Sequence, residues 1–300
     1  MDKIAILNRV KEIYQNNGNI INYLKGLDGR TFNTLEDILI SYDFQAGTYT
    51  NAYKNNDLFR ESRGKLCDEL TSVIEKLGQF NSILEAGVGE ATSLALIISN
   101  LSKCPVSIYG FDVSWSRIKY AREFLIEMGI DSTQLFVGDL FNTPIANDSI
   151  DIVYTVHAVE PNGGREEEAL KELYRITRKF LILVEPSYHF ADEEARKRMR
   201  SHGYVTRLYE KAIELGYEVI EHRLTTVHMN PANPSSLIVI KKNGDNVERT
   251  PLCCPNTKSS LIEGDGCYYS PDSFLAYPVI DRIPCLLPQN AIVATKYLNP

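Results

Sequence analysis

The chain has 300 residues, room for one large domain with appendages, and 44% of them are hydrophobic, enough to build a buried core. With 32 basic against 39 acidic residues the formal charge is -7, so no global field draws the chain to a polyanion and a nucleic-acid partner is disfavoured. No stretch reaches the roughly 18 uninterrupted apolar residues of a membrane span, and the polar start is not a secretory signal, so a soluble cytoplasmic protein with no membrane partner is expected.

Residues 1–76 read as a helical, polar cap. Asp2 to Tyr14 shows roughly helical spacing, and Thr34 ahead of Leu35-Glu-Asp-Ile-Leu-Ile40 is a helix start signal. Between these helices, Ser41 to Tyr53 reads as a loop dense in aromatic and amide groups, which can pack simply as an Ω-loop under a helix.

From 77 to 245 strands alternate with helical runs, which implies an α/β domain: a doubly wound, mostly parallel seven-stranded sheet covered on both faces. The first strand enters Ile83-Leu-Glu85-Ala-Gly87-Val-Gly89-Glu-Ala91, followed by the helical run Thr92 to Ile98. Glycine allows a tight turn and removes the side chain that would block a ligand, which lets a backbone pass close under a nucleoside. Strand, glycine turn and helix also meet in α/β proteins that bind nothing there. The second strand, Pro105 to Phe111, ends in Asp112, about twenty to thirty residues after the loop, where an acid accepts hydrogen bonds from ribose hydroxyls. A third, Gln134 to Val137, leads into Gly138-Asp139-Leu140, and a fourth, Ile150 to Val156, follows the turn-forming Ala146-Asn-Asp-Ser149. Acids thus close three successive strands: Glu85, Asp112 and Asp139. The fifth strand, Phe180 to Val184, ends in Glu185-Pro-Ser-Tyr188; the basic run Arg196-Lys-Arg-Met-Arg200 beyond it reads as a solvated helix face. The sixth and seventh strands are Tyr217 to Arg223 and Ser236 to Lys241, the last after the turn-rich Asn230 to Pro234. Open sheets bind ligands outside the carboxyl ends of their strands, so the strand-end residues form the shortlist for chemistry.

Over roughly residues 79 to 242 the chain resembles the class I S-adenosylmethionine-dependent methyltransferases, which have a Rossmann-like sheet. The resemblance implies S-adenosyl-L-methionine as methyl donor, with the glycine loop under the methionine and ribose, the second acid on the ribose hydroxyls and the third at the adenine. Carried over by position, the cofactor-binding residues are Glu85, Gly87, Gly89, Asp112, Val113, Asp139, Leu140 and Val156. Nicotinamide dehydrogenases share the first two signals but do not usually show the third. The resemblance also places segments before the first strand over the cofactor, so that Tyr42, Gln45, Tyr49 and Tyr53 could line a lid. Trp115 packs either beside the adenine or ribose or in the core.

The family places the groups nearest the transferred methyl at the end of the fourth strand, here Thr155-Val-His157-Ala-Val-Glu160-Pro-Asn162. A hydroxyl acceptor must lose its proton as the new bond forms, a task that suits the near-neutral pKa of histidine. His157 is therefore the candidate general base, with Glu160 as an orienting or acceptor-binding carboxylate; a histidine here can also only contact the cofactor or pack. Tyr188 and His189 are the next candidates. The Asn- or Asp-Pro-Pro-aromatic run that grips planar nitrogens in relatives is absent, so O-methylation of a small molecule or saccharide is the expected reaction. A protein or RNA methyltransferase and a non-catalytic nucleoside-binding scaffold are the alternatives.

Residues 249–300 turn rich in Pro, Cys and Tyr and form a small β-rich module. It resembles a family of small zinc-ribbon-like proteins, some of which activate methyltransferases, through Leu252-Cys-Cys254-Pro-Asn-Thr257 and Ala276-Tyr-Pro278-Val-Ile-Asp281-Arg-Ile-Pro284-Cys-Leu-Leu287. Thr257 stands where that family has a second ligand and Ser270 at a later ligand position. Only Cys253, Cys254 and Cys267 remain plausible ligands, short of the four that tetrahedral zinc needs, so a metal-free module is expected. It could cover an edge or face of the catalytic domain, bind a protein partner, or help close the acceptor pocket. The six cysteines follow no disulfide framework, and free thiols are expected.

Overall fold

Strand segments with apolar side chains on both sides can be satisfied only in the middle layer of three, and this dictates the architecture. The computed structural model describes residues 2–30, 32–227, 232–244 and 251–298. Helices α1 (Lys3–Gln15), α2 (Ile20–Leu27), α3 (Leu35–Phe44), α4 (Thr48–Asn55) and α5 (Asp57–Lys76) precede the sheet. Strands and helices then alternate: β1 (Ser82–Ala86), α6 (Thr92–Asn100), β2 (Ser107–Asp112), α7 (Trp115–Glu127), β3 (Thr133–Val137), β4 (Ile150–Val156), α8 (Glu166–Ile176) and β5 (Thr177–Pro186). Next come α9 (Glu193–His202), α10 (Leu208–Glu214), β6 (Glu218–Leu224) and β7 (Ser235–Lys241).

The seven strands lie in the order β3-β2-β1-β4-β5-β7-β6, with β7 antiparallel to both neighbours and the other pairs parallel. Alternate residues of each strand face opposite layers: Ile83, Ile108, Ile152 and Ile182 pack toward α5, α6 and α7, whereas Leu84, Tyr109, Val153 and Leu181 join α8 and α10. The chain runs from β1 outward to β3 and then returns to place β4 on the other side of β1. That reversal opens a crevice at the carboxyl ends of β1 and β4.

The expected loop from Ser41 to Tyr53 is not one. Ser41 to Phe44 closes α3, Thr48 to Tyr53 belongs to α4, and only Gln45 to Gly47 turns between them, with Gly47 at φ 94. The predicted start at Thr34 is a capping box: its hydroxyl accepts from Asp37 N at 3.2 Å while the Asp37 carboxylate accepts from Thr34 N at 2.8 Å. Polar latches hold the helical cap to the body. Asn33 Nδ2 donates to Pro161 O at 2.7 Å. The Asp43 carboxylate accepts from Ser114 Oγ at 2.8 Å and Ser116 N at 3.1 Å, at the N-terminus of α7 where negative charge is favoured. Reciprocally, buried Glu90 accepts from Gly47 N and Thr50 N, at 3.0 and 2.7 Å, at the start of α4.

Beyond residue 250 lie β8 (Ile262–Gly264), β9 (Cys267–Ser270), β10 (Leu275–Ile280), β11 (Ile283–Pro284) and β12 (Ile292–Val293), a small antiparallel sheet. It grips the segment that leaves β3. Leu286 N donates to Val137 O at 2.9 Å, Cys253 N to Pro144 O at 2.9 Å, and Ala146 N to Pro251 O at 2.7 Å. Lys258, at φ 58, donates to Asn142 Oδ1 at 2.7 Å and Thr143 O at 2.9 Å. The expected boundary at 245–249 and the turn residues Asn230 and Pro231 lie outside the described residues.

The residues present do not fit the zinc ion that the ribbon resemblance brings to mind. The Cys254 sulfur faces hydroxyls, Tyr277 Oη at 3.4 Å and Ser273 Oγ at 3.6 Å, and no group of three His, Cys, Asp or Glu converges among the described residues. All six thiols are unpaired. No helix among the described residues is long and apolar enough to cross a membrane.

Candidate active site

Strand order places one cavity of about 360 Å³ over the crevice, bounded below by the carboxyl ends of β1, β2 and β4 and above by α3 to α5 of the cap. All ten residues singled out from the sequence line it: Glu85, Gly87, Gly89, Asp112, Val113, Asp139, Leu140, Val156, His157 and Glu160.

The turn after β1 is built as its composition demands. Gly87, Gly89 and Ala91 take φ values of 72, 54 and 58, and Ala91 starts α6 in a left-handed conformation. A Cβ on Gly87 would lie 2.3 Å from Ala158 Cβ, so the turn passes hard against the loop after β4 and only glycine fits. Val88 N donates to Phe111 O at 2.8 Å and Gly89 N to Asp112 Oδ2 at 3.1 Å, which fixes the turn to the end of β2. The other Asp112 oxygen accepts from Ser114 N at 2.9 Å. Each carboxylate oxygen keeps acceptor capacity for a ligand. Burial raises the pKa of Asp112, as it does for Asp139, whose Oδ1 accepts from Phe141 N at 3.0 Å.

Glu85 lies at the floor. Burial pushes its carboxyl up to about 8, although Tyr154 Oη donates to it at 3.0 Å. Arg63, buried on α5, extends Nη1 to Ser93 Oγ at 2.9 Å, while its Nε is buried and without a partner. Arg117 donates Nε to Tyr42 O at 3.2 Å and stacks on Tyr42 and Tyr49, 4.5 and 5.1 Å from the ring centroids.

At the end of β4, His157 has a left-handed backbone, φ 57, and its side chain is 24% exposed. Its Nε2 is 2.8 Å from Ser235 Oγ and its Nδ1 is 3.4 Å from Glu160 Oε2. Burial pushes the imidazole down to about 3. The Glu160 carboxyl moves the other way, up to about 8, through burial and then the nearby Glu185, and its Oε2 is buried with no hydrogen-bond partner. Glu185 shapes this loop: its carboxylate accepts from Thr155 Oγ1 at 2.7 Å, from Ala158 N and Val159 N at 3.1 Å each, and from Glu160 N at 3.0 Å.

The weaker expectations fare differently. Tyr42 and Tyr49 line the cavity, but Gln45 turns back to Ser41 Oγ at 2.8 Å and Tyr53 packs edge-on against Phe124, 5.3 Å between centroids. Trp115 is outside the cavity and points its Nε1 at Ile280 O, 3.4 Å away. Tyr188 and His189 border a separate, small depression with Tyr209 and His222. Arg63, Glu90, Arg117, Arg198, Tyr204 and Asn233 line the cavity without having been anticipated.

Fold and cavity together define a Rossmann-like methyltransferase domain, and residues 83–179 match the family model described as a methyltransferase domain. The fold is shared with magnesium protoporphyrin IX methyltransferase from Synechocystis PCC 6803, at a TM-score of 0.51 and 13% identity over 68% of this chain and 98% of that one. A methyltransferase dependent on S-adenosylmethionine from Aquifex aeolicus is similar at 16% identity over 64% of this chain and 97% of that one, TM-score 0.47. No curated protein matches the chain. The match marks residues 83–179 as a methyltransferase domain, for which S-adenosylmethionine is the expected methyl donor. The cavity fits that cofactor in kind: a cradle at Gly87 that a Cβ would fill, carboxylates at three strand ends, and a buried guanidinium with an unpaired Nε.

Proposed function

We propose that the protein transfers a methyl group to an oxygen of a small, saccharide-like acceptor. S-adenosylmethionine supplies, when bound, an electrophilic methyl on a sulfonium centre. Asp112 would accept hydrogen bonds from its ribose hydroxyls, Asp139 and Leu140 would flank its adenine, Glu85 would face its amino group, and Arg63 its carboxylate. Gly87, Gly89, Val113 and Val156 would form the apolar and backbone walls.

The observation that carries the oxygen reading is Glu160: a carboxylate oxygen buried without a partner, 3.4 Å from His157 Nδ1, at the strand end beside the cradle. An acceptor hydroxyl there would deliver its proton to Glu160 as its oxygen bonds to the methyl carbon, while the carbon–sulfur bond breaks and its electron pair leaves with the sulfur of S-adenosylhomocysteine. Glu160 suits that role better than His157, because burial has made the imidazole a poor base while raising the carboxylate's proton affinity. His157, held by Ser235, positions the carboxylate. The sequence expectation is thus reversed in its roles and kept in its residues. The test is methyl transfer to an active acceptor as a function of pH. The rate should rise with pH to a plateau above about 8, and Glu160→Gln should lose the rise and most of the rate. An unchanged profile in that variant refutes the assignment.

The C-terminal sheet, in this reading, serves in cis the role that the zinc-ribbon-like activators it resembles serve in trans. What supports it is the hydrogen bonding to residues 137–146, the segment that carries Asp139 and Leu140.

A further inference from the structure

The basic run on α9 is not wholly a solvated face. Arg196 and Arg200 are engaged with Tyr188, through Arg196 Nε to Tyr188 O at 3.0 Å and Arg200 Nη1 to the Tyr188 hydroxyl. Arg198 instead lines the cavity, beside Tyr204, Asn233 and Glu160. Its Nη1 donates to Asn233 Oδ1, and among the described residues it has no carboxylate partner. Glu160 feels the charge of Arg198, which lowers its pKa against the larger effect of burial, but makes no ion pair with it: the ion-pair contact of Glu160 is with His157 and its Oε2 lacks a hydrogen-bond partner. A guanidinium at the rim of a cavity, half-buried and joined only to a neutral amide, keeps donor groups in a planar fork free for an oxyanion. The side chain of Asn233 is buried and holds that fork in place. Arg63 and Arg117 are placed apart from it, against Ser93 and the Tyr42 backbone.

We propose that the acceptor carries an anionic group, carboxylate or phosphate, which docks on Arg198 and presents a hydroxyl to Glu160. The proposal rests on the acceptor half of the site as read above and narrows the acceptor from any small hydroxyl compound to a hydroxylated oxyacid. Arg198 is then the residue that sets acceptor specificity. A charge-assisted contact of this kind contributes about 1.5–3 kcal/mol, or about 10- to 100-fold in affinity.

The test is calorimetric titration of the full chain, saturated with S-adenosylhomocysteine, with compounds matched except for charge. Glucuronate and glucose 6-phosphate are compared with methyl glucoside, and 4-hydroxybenzoate with 4-hydroxybenzyl alcohol. In at least one series the anion should bind about 10-fold or more tighter than its neutral counterpart. Arg198→Met should remove that advantage and Arg198→Lys keep part of it, with S-adenosylhomocysteine affinity within about twofold in both. Tighter binding of glucuronate than of the sugar phosphate assigns a carboxylate, and the reverse a phosphate. Equal binding of charged and neutral members, no binding of any of them, or an anion preference that survives Arg198→Met overturns the proposal. Failure of the wild-type chain to bind S-adenosylhomocysteine would instead overturn the cofactor reading beneath it.

Discussion

Gly87→Ala tests the close approach on which the cavity floor depends. An L-residue at φ 72 costs about 1–2 kcal/mol. The added Cβ would lie 2.3 Å from Ala158 Cβ, far inside the about 3.5–4.0 Å of a carbon contact. Relieving that overlap requires the β1 turn or the β4 loop to shift, at about 1–3 kcal/mol. The total of about 2–5 kcal/mol corresponds to a fall in melting temperature of about 4–20 °C for a domain of this size. The two contributions separate in a double-mutant cycle, because Ala158→Gly removes the atom that is struck and leaves the backbone strain. In that background Gly87→Ala should cost about 1–3 kcal/mol less than alone. Thermal melts of the four proteins measure the cycle, and titration with S-adenosylhomocysteine follows the accompanying loss of affinity. A Gly87→Ala protein as stable as wild type, or a coupling energy near zero, would refute the steric argument.

Three further outcomes are expected. Glu85, pushed by burial up to about 8, holds its proton at pH 7 in the free protein, and a ligand ammonium beside it favours the ionised form. Binding of S-adenosylhomocysteine should therefore release a proton, seen as a dependence of calorimetric heat on buffer ionisation enthalpy that Glu85→Gln removes. Glu85, Glu160 and Glu185 all have pKa values raised above their usual range, to about 8, 8 and 7, so between pH 5 and 8 these three carboxyls bind more protons in the folded state than in the unfolded one, whereas His157, pushed down to about 3, pulls the other way below its usual value. The contribution of the three carboxyls to the stability of the ligand-free protein should fall as pH rises through that window, so the slope of stability against pH from melts should be less negative in Glu160→Gln than in the wild type. Lys258→Met removes two bonds to Asn142 and Thr143, about 1–3 kcal/mol in all at about 0.5–1.5 kcal/mol per bond; it should weaken S-adenosylhomocysteine binding about 5- to 150-fold, and equal affinity would separate the module from the Asp139 segment.

The strand ends were legible because their signals are local. Glycines at 87 and 89 and acids at 85, 112 and 139 each follow an apolar run, and the sheet rule places every such end on one side. The seven strands were found within a few residues for the same reason, though β5 extends past Val184 to Pro186. Glu185 was visible as an acid closing a fifth strand, but its four donors belong to Thr155 and the loop after β4, and no spacing reveals that. The helix break was misread from Ser41 to Tyr53 because amide and aromatic residues look loop-like, whereas α4 is held by Glu90 from 40 residues away. Arg198 was hidden for a related reason. On a helix with cations at 196, 197, 198 and 200, the sequence does not say which side chain faces inward.

The bond from Leu286 to Val137 joins residues made far apart in time. During synthesis β3 emerges as the open border of a sheet, its outward-facing backbone groups unpaired and able to template another chain. About 150 residues must still be added before the covering segment exists, a wait of about 7–30 s at cellular elongation rates. Until then the nascent chain carries that border open, and a part translated much later is the one that pairs it at Val137.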